Sequence, residues 1–304
     1  MNINKINRRT MLWLASTALL AQASAAQGAP RQSNCAKALS DLERRTGGRL
    51  GVAILDTANG QLVGHRIDER FAMCSTFKLP LAAALLREVD QGRLQRDQWI
   101  PLTASDMVPH APITSQHLAQ GGMHLAEMAQ AAQTTSDNPA ANVLLKLLGG
   151  PAGFTAILRS TGDATTRLDR FEPQLNVVTG EDLRDTTSPA AMARTTAYLL
   201  TSDWLSKPSR DLLTQWMQET TTGSKRLRAG LPPTWRAGDK TGTAMYSNMP
   251  DKYNDVAITW PPGKAPLVIA VFFETAKPHT AMRDQDEAVI ADVGRIATQF
   301  FLPI

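Results

Sequence analysis

The feature that most constrains this chain is a serine three residues before a lysine, Ser75 and Lys78, at the start of a predicted helix. Positions i and i+3 of a helix lie on one face, so the Lys78 amine can reach the Ser75 hydroxyl. If the helix begins at Ser75, its backbone N–H lies at the positive end of the helix dipole, where an anion is favoured. A hydroxyl, a base and an oxyanion donor thus come together within four residues. The apolar positions that predict the helix are Phe77, Leu81, Ala82, Leu85, Leu86 and Val89, and it ends near Gly92.

Two observations limit what this pair indicates alone. A serine three residues before a lysine occurs by chance in many sequences, usually at a solvated helix start. Pro80 also opposes a helix here, because proline removes a backbone hydrogen bond close to the first turn. Motifs further along the chain support a functional role for Ser75 and Lys78.

The first 25 residues are typical of a secretory leader. A basic start precedes an apolar segment, Met11 to Ala21, and an Ala-x-Ala site predicts cleavage near Ala25. Arg8 and Arg9 loosely match a twin-arginine signal, but adjacent arginines also occur in ordinary leaders, so both export routes stay open. The leader, residues 1–25, then precedes a single catalytic domain, residues 26–304.

The charge balance argues against two classes of partner. The 304 residues carry a formal net charge of +4, and removal of the leader with its three cations leaves +1. Such a balance predicts neither nucleic-acid binding nor stable membrane association. The sequence also has no apolar run of 18 or more residues, so we expect no permanent membrane span.

The cysteines and histidines predict no cross-link and no metal site. Cys35 and Cys74 could pair in an oxidising compartment. Because Cys74 directly precedes Ser75 while Cys35 lies in the opening segment, we favour two unpaired thiols. The histidines show no metal-ligand spacing, which favours surface or structural positions for His65, His110, His117, His124 and His279.

Strands at both ends of the chain and helices between them predict an α/β (α+β) fold with two lobes. The α/β lobe is placed at about 36–66 and 220–304, the helical lobe at about 67–219, and a ligand site at the seam between them. The predicted helices are 36–46, 75–90, 125–134, 138–148, 151–160, 188–201, 207–219 and 283–301, and the predicted strands are 50–55, 61–66, 234–242, 254–260 and 267–274.

Two further motifs each have an ordinary structural interpretation. Ser136-Asp137-Asn138 opens a predicted helix, where these residue types are preferred caps. Lys240-Thr241-Gly242-Thr243 ends a predicted strand, where a lysine commonly protects a sheet edge. A glycine there also permits close approach of a ligand, and the flanking hydroxyls and ammonium suit a carboxylate.

In this order, Ser-x-x-Lys, Ser-Asp-Asn and Lys-Thr-Gly form the signature of class A β-lactamases and penicillin-binding proteins. The chain resembles class A serine β-lactamases over residues 36–302. The resemblance implies an antiparallel sheet flanked by helices plus an all-helical lobe, with no cofactor and no metal. It also implies a monomer that acts on small-molecule β-lactam antibiotics.

A fourth motif favours the hydrolases. The segment from Arg170 to Asn176 resembles the Ω-loop of class A enzymes, closed by Arg184-Asp185-Thr186-Thr187. The family parallel implies that Arg170 pairs with Asp185 at the base of the loop. It implies too that Glu172 and Asn176 hold a water facing Ser75, whereas a surface glutamate alone would be a solvated carboxylate. The resemblance also implies a cis bond before Pro173, since X–Pro is where cis is tolerated.

The resemblance assigns the chemical roles. Ser75 attacks the lactam carbonyl, and the N–H groups of Ser75 and Thr243 hold the oxyanion. Ser136, between Lys78 and Lys240, relays a proton to the leaving nitrogen. Glu172 is the general base for deacylation. Whether Lys78 or Glu172 accepts the Ser75 proton during acylation stays open.

The resemblance also assigns substrate contacts and shows departures. Lys240, Thr241, Gly242 and Thr243 would bind the substrate carboxylate, with Asn138 on the acylamide side chain and His110 beside the substrate. Arg226 matches the position from which some members supply a second cation. Carbapenem-hydrolysing members pair the cysteine before the nucleophile with one at the position of Ala244, so alanine there puts that activity in doubt.

We therefore expect a periplasmic class A β-lactamase that confers antibiotic resistance. The first alternative is a D-Ala-D-Ala carboxypeptidase or other penicillin-binding enzyme, which penicillin would acylate lastingly. The second is a non-catalytic β-lactam sensor domain, which would never turn the acyl group over. The substrate spectrum, inhibitor sensitivity and export route do not follow from the sequence.

Overall fold

The computed structural model describes residues 33–301, so the predicted leader lies outside the described residues. The helices are α1 (33–46), α2 (Lys78–Asp90), α3 (Thr114–His117), α4 (Leu125–Thr134), α5 (Asn138–Leu147), α6 (Gly150–Ser160), α7 (Pro189–Thr201), α8 (Lys207–Gln218), α9 (Leu227–Gly230) and α10 (Asp284–Phe301). The strands are β1 (Arg49–Asp56), β2 (Leu62–His65), β3 (Phe71–Ala72), β4 (Trp99–Pro101), β5 (Gly122–His124), β6 (Thr186–Thr187), β7 (Arg236–Tyr246), β8 (Met249–Trp260) and β9 (Leu267–Glu274).

The main sheet has five antiparallel strands in the order β2-β1-β9-β8-β7. Strands from both ends of the described chain build it, and β1 pairs with β9 along its whole length. Within residues 33–301, β7 is an edge strand, and no other strand pairs with the backbone groups on its outer side. This edge faces the turn that carries Ser75, because Gly242 of β7 lies against Met73 and Ser75.

Alternate residues of each central strand point to opposite faces of the sheet. Both faces are buried, because helices pack on each of them. On one face, Leu50, Val52 and Ile54 of β1 pack with residues of α1, α9 and α10. On the other face, Ala53 and Leu55 join the core of the helical region, which includes most of α2. Buried on both sides, β9 is an almost unbroken apolar run.

The predicted helices and strands are present, with one clear error in extent. The strands predicted at 234–242 and 254–260 are longer in the structure, where β7 continues to Tyr246 and β8 begins at Met249. The sequence did not predict the full length of this hairpin, because polar residues interrupt the expected alternation in β8. Those residues, Asp251, Lys252 and Asn254, are nevertheless buried.

The helix predicted from Ser75 begins differently. Residues Cys74–Phe77 form a 3₁₀ turn, and the α-helix begins at Lys78. Pro80 is therefore in the first turn of α2, where backbone N–H groups have no partner within the α-helix, so proline costs little. In residues 33–301 no single helix is long and apolar enough to span a membrane; α5 and α6 reach that composition only together, as a pair bent by 74°.

Helix α10 packs on α9 through a glycine, which yields a stability prediction. A Cβ added at Gly294 would lie 2.7 Å from Leu227 O and 3.2 Å from the Gly230 carbonyl carbon. We expect Gly294→Ala to lower the free energy of unfolding by about 1–2 kcal/mol, because overpacking outweighs the gain in helix propensity. Urea unfolding measures this, with the exposed α10 variant Gln299→Ala as control. A Gly294→Ala protein as stable as the wild type would contradict the close packing.

Candidate active site

The Ser75 hydroxyl lies between an ammonium group and a carboxylate. Lys78 Nζ donates to Ser75 Oγ at 3.0 Å, and Ser75 Oγ donates to Glu172 Oε1 at 3.2 Å. Lys78 Nζ also lies 3.1 Å from Glu172 Oε1. The three residues thus form a closed triangle of polar contacts around the hydroxyl.

Lys78 is completely buried, with 0% of the residue exposed. Besides its contacts with Ser75 and Glu172, its Nζ donates to Ser136 O at 2.8 Å and to Asn138 Oδ1 at 2.5 Å. Burial lowers the pKa of the Lys78 ammonium, and the Glu172 carboxylate opposes that effect. A neutral amine is therefore more accessible here than on a surface lysine.

Ser136 Oγ lies between two buried lysines. Lys240 Nζ donates to it at 3.0 Å and Lys78 Nζ at 3.4 Å. Burial, and repulsion by Lys78, hold the pKa of the Lys240 ammonium well below its usual value. The Ser136 hydroxyl thus lies beside two amines whose pKa values are lowered.

The Ser136-Asp137-Asn138 segment is both a helix cap and part of the site. Asp137 is buried and accepts from Ala140 N at 3.0 Å, so it caps α5. It also accepts from Ile113 N and Thr114 N. With Asp137 fixed inward, its two neighbours contact Lys78. Both interpretations of the motif therefore hold at once.

Glu172 is fixed through its backbone and one carboxylate oxygen. Its N–H donates to Asn142 Oδ1 at 2.8 Å, and Asn142 Nδ2 donates to Glu172 O at 2.9 Å. Asn176 Nδ2 donates to Glu172 Oε2 at 2.5 Å. Asn142 was missed in the sequence, although a lone asparagine in the apolar part of α5, one turn after Asn138, was a usable signal.

The loop that carries Glu172, residues 170–185, is held at its base by an ion pair. Arg170 Nε lies 2.5 Å from Oδ2 of the fully buried Asp185. The other oxygen, Asp185 Oδ1, accepts from the backbone N–H groups of Asp169 and Arg170 at 2.7 and 3.0 Å. The Glu172–Pro173 peptide bond is cis, as expected.

A contact within the chain also requires glycine at position 242. A Cβ at this position would lie 2.7 Å from Met73 O and 3.1 Å from Ser75 N. The chain itself therefore fills the space on the side of Gly242 where a Cβ would lie. Strand β7 lies directly against the turn that carries Ser75, and Thr243 lines the same cavity as Ser75.

A cavity of about 430 Å³ opens onto these groups. His110 lines it and is fixed by a contact of 3.0 Å between its Nε2 and Thr135 O. The cavity contains most of the predicted site residues, with Lys78, Glu172 and Lys240 buried behind its wall. Its lining is Ser75, His110, Ser136, Asn138, Asn176, Thr222, Arg226, Thr241, Gly242, Thr243 and Met282.

Arg226 lines the cavity but is only 1% exposed. Its Nη2 donates to Thr243 Oγ1 at 2.6 Å, and its Nη1 donates to Gly242 O at 3.0 Å. Its Nε donates to Glu287 Oε1 at 3.1 Å, which partly neutralises its charge. The guanidinium thus acts on the cavity mainly through Thr243.

Both cysteines are free, as expected, and both are buried. Cys74 packs in a small cluster that includes Ala244, so the second thiol of a cross-link is absent at that place. Burial raises the pKa of the Cys74 thiol to about 12 and that of Cys35 to about 11. Within residues 33–301, no group of three or more histidine, cysteine or carboxylate side chains could hold a metal ion.

Comparison with known proteins identifies the family. Residues 34–301 match the model of the β-lactamase enzyme family. An ancestral class A β-lactamase structure superposes with a TM-score of 0.83 at 52% identity, covering 88% of this chain and all of that one. The chain belongs to the class A β-lactamases.

Individual relatives support this family across most of the chain. Beta-lactamase AST-1 of Nocardia asteroides is 47% identical, over 84% of this chain and 80% of its own length. Beta-lactamase Toho-1 of Escherichia coli is 42% identical, over 97% of this chain and 98% of its own. A β-lactamase structure from Xanthomonas campestris has a TM-score of 0.83 at 45% identity, covering 89% and 98% of the two chains. The predicted fold class and enzyme class are thereby confirmed.

The contact at Gly242 yields the second prediction. We expect Gly242→Ala to reduce kcat/KM for a penicillin by about 10²-fold, because the methyl group pushes β7 away from the Ser75 turn and disturbs any oxyanion hole between them. Steady-state hydrolysis measures the loss, and circular dichroism tests for an intact fold. Wild-type kcat/KM in a folded variant would contradict the role given to this contact.

Proposed function

We propose that this class A β-lactamase opens the β-lactam ring through an acyl-enzyme on Ser75, which a water activated by Glu172 then hydrolyses. One observation carries the proposal. Ser75 Oγ contacts both Lys78 Nζ and Glu172 Oε1, at 3.0 and 3.2 Å. A nucleophile in contact with two candidate bases, in a family named for this reaction, supports acyl transfer to the serine.

In the acylation step, Ser75 Oγ attacks the lactam carbonyl as its proton passes to a base. Both Lys78 and Glu172 contact the hydroxyl, and the lowered pKa of Lys78 supports a neutral amine in this role. The oxyanion is held by the N–H groups of Ser75 and Thr243. Ser136, between Lys78 and Lys240, passes a proton to the leaving nitrogen as the C–N bond breaks.

In the deacylation step, Glu172 removes a proton from water as that water attacks the ester carbonyl. Asn176 holds the outer oxygen of Glu172, and Asn142 fixes its backbone, so Oε1 stays directed at Ser75. Collapse of the tetrahedral intermediate releases Ser75 Oγ, which regains a proton. A hydrolase needs Glu172 as a general base for this step, whereas a penicillin-binding enzyme without such a base stays acylated.

Substrate binding follows from the donors around the cavity. Thr241 and Thr243 offer hydroxyls to the substrate carboxylate, backed by the Lys240 ammonium, with Arg226 acting through Thr243. Asn138 Nδ2 donates to Pro109 O at 2.8 Å. Because an amide nitrogen has two N–H groups, one remains for the acylamide carbonyl of the substrate.

We also propose that the enzyme is a periplasmic monomer with no nucleic-acid partner. The basic and apolar leader supports export, and the near-neutral mature chain supports the absence of a polyanionic partner. Hydrolysis of a penicillin, a cephalosporin and a carbapenem, each with and without EDTA, defines the spectrum and tests metal independence.

The role of Glu172 gives the third prediction. Glu172→Ala should still be acylated by a penicillin, but should deacylate about 10²–10⁴-fold more slowly, because the general base is lost. Mass spectrometry of the quenched reaction detects the accumulated acyl-enzyme. Glu181→Ala, which removes an exposed carboxylate from the same loop, is the matched control and should turn over normally.

Two results would refute this assignment. Rapid turnover by Glu172→Ala would remove Glu172 from deacylation. Lasting acylation of the wild type by penicillin would instead indicate a penicillin-binding enzyme or a sensor.

The position of Arg226 gives the fourth prediction. Arg226→Ala should raise KM for carboxylate-bearing penicillins by about tenfold, as expected for one lost charge-assisted contact. The effect should be much smaller for a penicillin methyl ester, which lacks the carboxylate. Equal effects on acid and ester would show that Arg226 acts only on the fold, since its loss also leaves Glu287 buried and unpaired.

A further inference from the structure

We propose that a second cavity, between residues 178–183 of the Ω-loop and strand β8, binds a multivalent oxyanion of the phosphate or sulfate class through Lys252 and Arg70. This cavity has a volume of about 690 Å³. It shares no lining residue with the catalytic cavity, so it is a separate site. The inference goes beyond β-lactam hydrolysis and does not depend on it.

The first observation is a buried ammonium group without a carboxylate. Lys252 lines the cavity and is 2% exposed. Its Nζ has a single acceptor among the described residues, the thioether of Met249 at 3.2 Å. A thioether is a weak acceptor. Burial of a charge this poorly compensated is costly unless an anion completes the site.

The nearest natural partner of Lys252 is already engaged. Glu274 lies directly opposite Lys252 on β9, where two side chains share one face of the sheet. Its carboxylate is instead 3.2 Å from Arg49 Nε, on the other neighbouring strand. On the loop side, Asp182 is paired with Arg184 at 2.9 Å, and Glu181 is exposed. All three carboxylates line the cavity, but none of them lies within ion-pair distance of Lys252.

The second observation is a guanidinium group in the same cavity. Arg70 Nη1 donates to Thr165 O at 2.7 Å and to Thr186 Oγ1 at 3.1 Å. Over residues 33–301, Arg70 has no carboxylate within ion-pair distance. Burial lowers its pKa, and repulsion by Arg167 and Arg159 adds to the effect.

Lys252 and Arg70, two cations without a carboxylate partner, indicate which class of ligand fits the cavity. A dianion such as hydrogen phosphate or sulfate would neutralise both, whereas a monocarboxylate would leave one of them uncompensated. Thr179 and Asn248 also line the cavity and can donate to further oxygens of a tetrahedral anion. Strand β8 is tied to the chain segment of Arg70 because Asn254 Nδ2 donates to Ala72 O at 2.9 Å.

An anion here would join the Ω-loop to the sheet. The loop segment 178–183 lines the cavity together with Lys252 and Arg70. A ligand that binds only the folded protein raises its stability by mass action. Phosphate should therefore stabilise the enzyme from a site outside the catalytic cavity.

The test titrates the exported, full-length mature enzyme with sodium phosphate at pH 7.5, against sodium chloride at equal ionic strength. We expect saturable binding by calorimetry and a rise of about 3 °C in Tm at a phosphate concentration of about ten times the dissociation constant. Lys252→Met should weaken phosphate binding at least tenfold, and Lys252→Arg should retain it. Lys207→Met, which removes an exposed lysine from α8, is the matched control and should bind like the wild type.

Two outcomes would overturn the proposal. Phosphate that raises the wild-type Tm no more than chloride at equal ionic strength would exclude the site, whatever the variants do. Binding by a folded Lys252→Met as tight as that of the wild type would place the anion elsewhere. Sulfate in place of phosphate should give the same pattern, and acetate should give none.

Discussion

The structure depends on one buried cation, the Lys78 ammonium, and on the oxygen atoms gathered around it. A charge with no exposed surface is tolerated only where several acceptors replace its water. Ser75, Ser136, Asn138 and Glu172 provide them, and they come from three separate segments of the chain. The contacts of Lys78 therefore hold the turn that carries Ser75, the start of α5 and the Ω-loop together.

The contacts behind these groups explain how that point is held. Asp137 fixes the start of α5 from within, and Asn142 fixes the backbone of Glu172 from the same helix. On the opposite side, Gly242 lets β7 lie against the Ser75 turn. Buried residues at the start of α5, within α5 and on β7 thus fix the start of α5, Glu172 and the Ser75 turn.

The sequence alone paired Ser75 with Lys78 because their spacing is local, and the other site residues followed from the resemblance of their motifs to class A β-lactamases. Ser75 and Lys78 are one helical turn apart, and the motif around Glu172 lies within seven residues. It did not predict what depends on distant packing. Asn142 was missed because its partner comes from the Ω-loop, and Arg226 was expected to face the substrate although Glu287 and the carbonyls of two strands hold it inside.

The pairing of β1 with β9 determines when this molecule can be completed. One strand is made near the beginning of the chain and the other near its end, yet they are neighbours in the middle of the sheet. During synthesis, β1 and its hairpin partner β2 emerge long before β8 and β9 exist. The sheet can close around its centre only when almost the whole polypeptide is available, so a chain shortened before Leu267 would leave two apolar strand edges open to self-association.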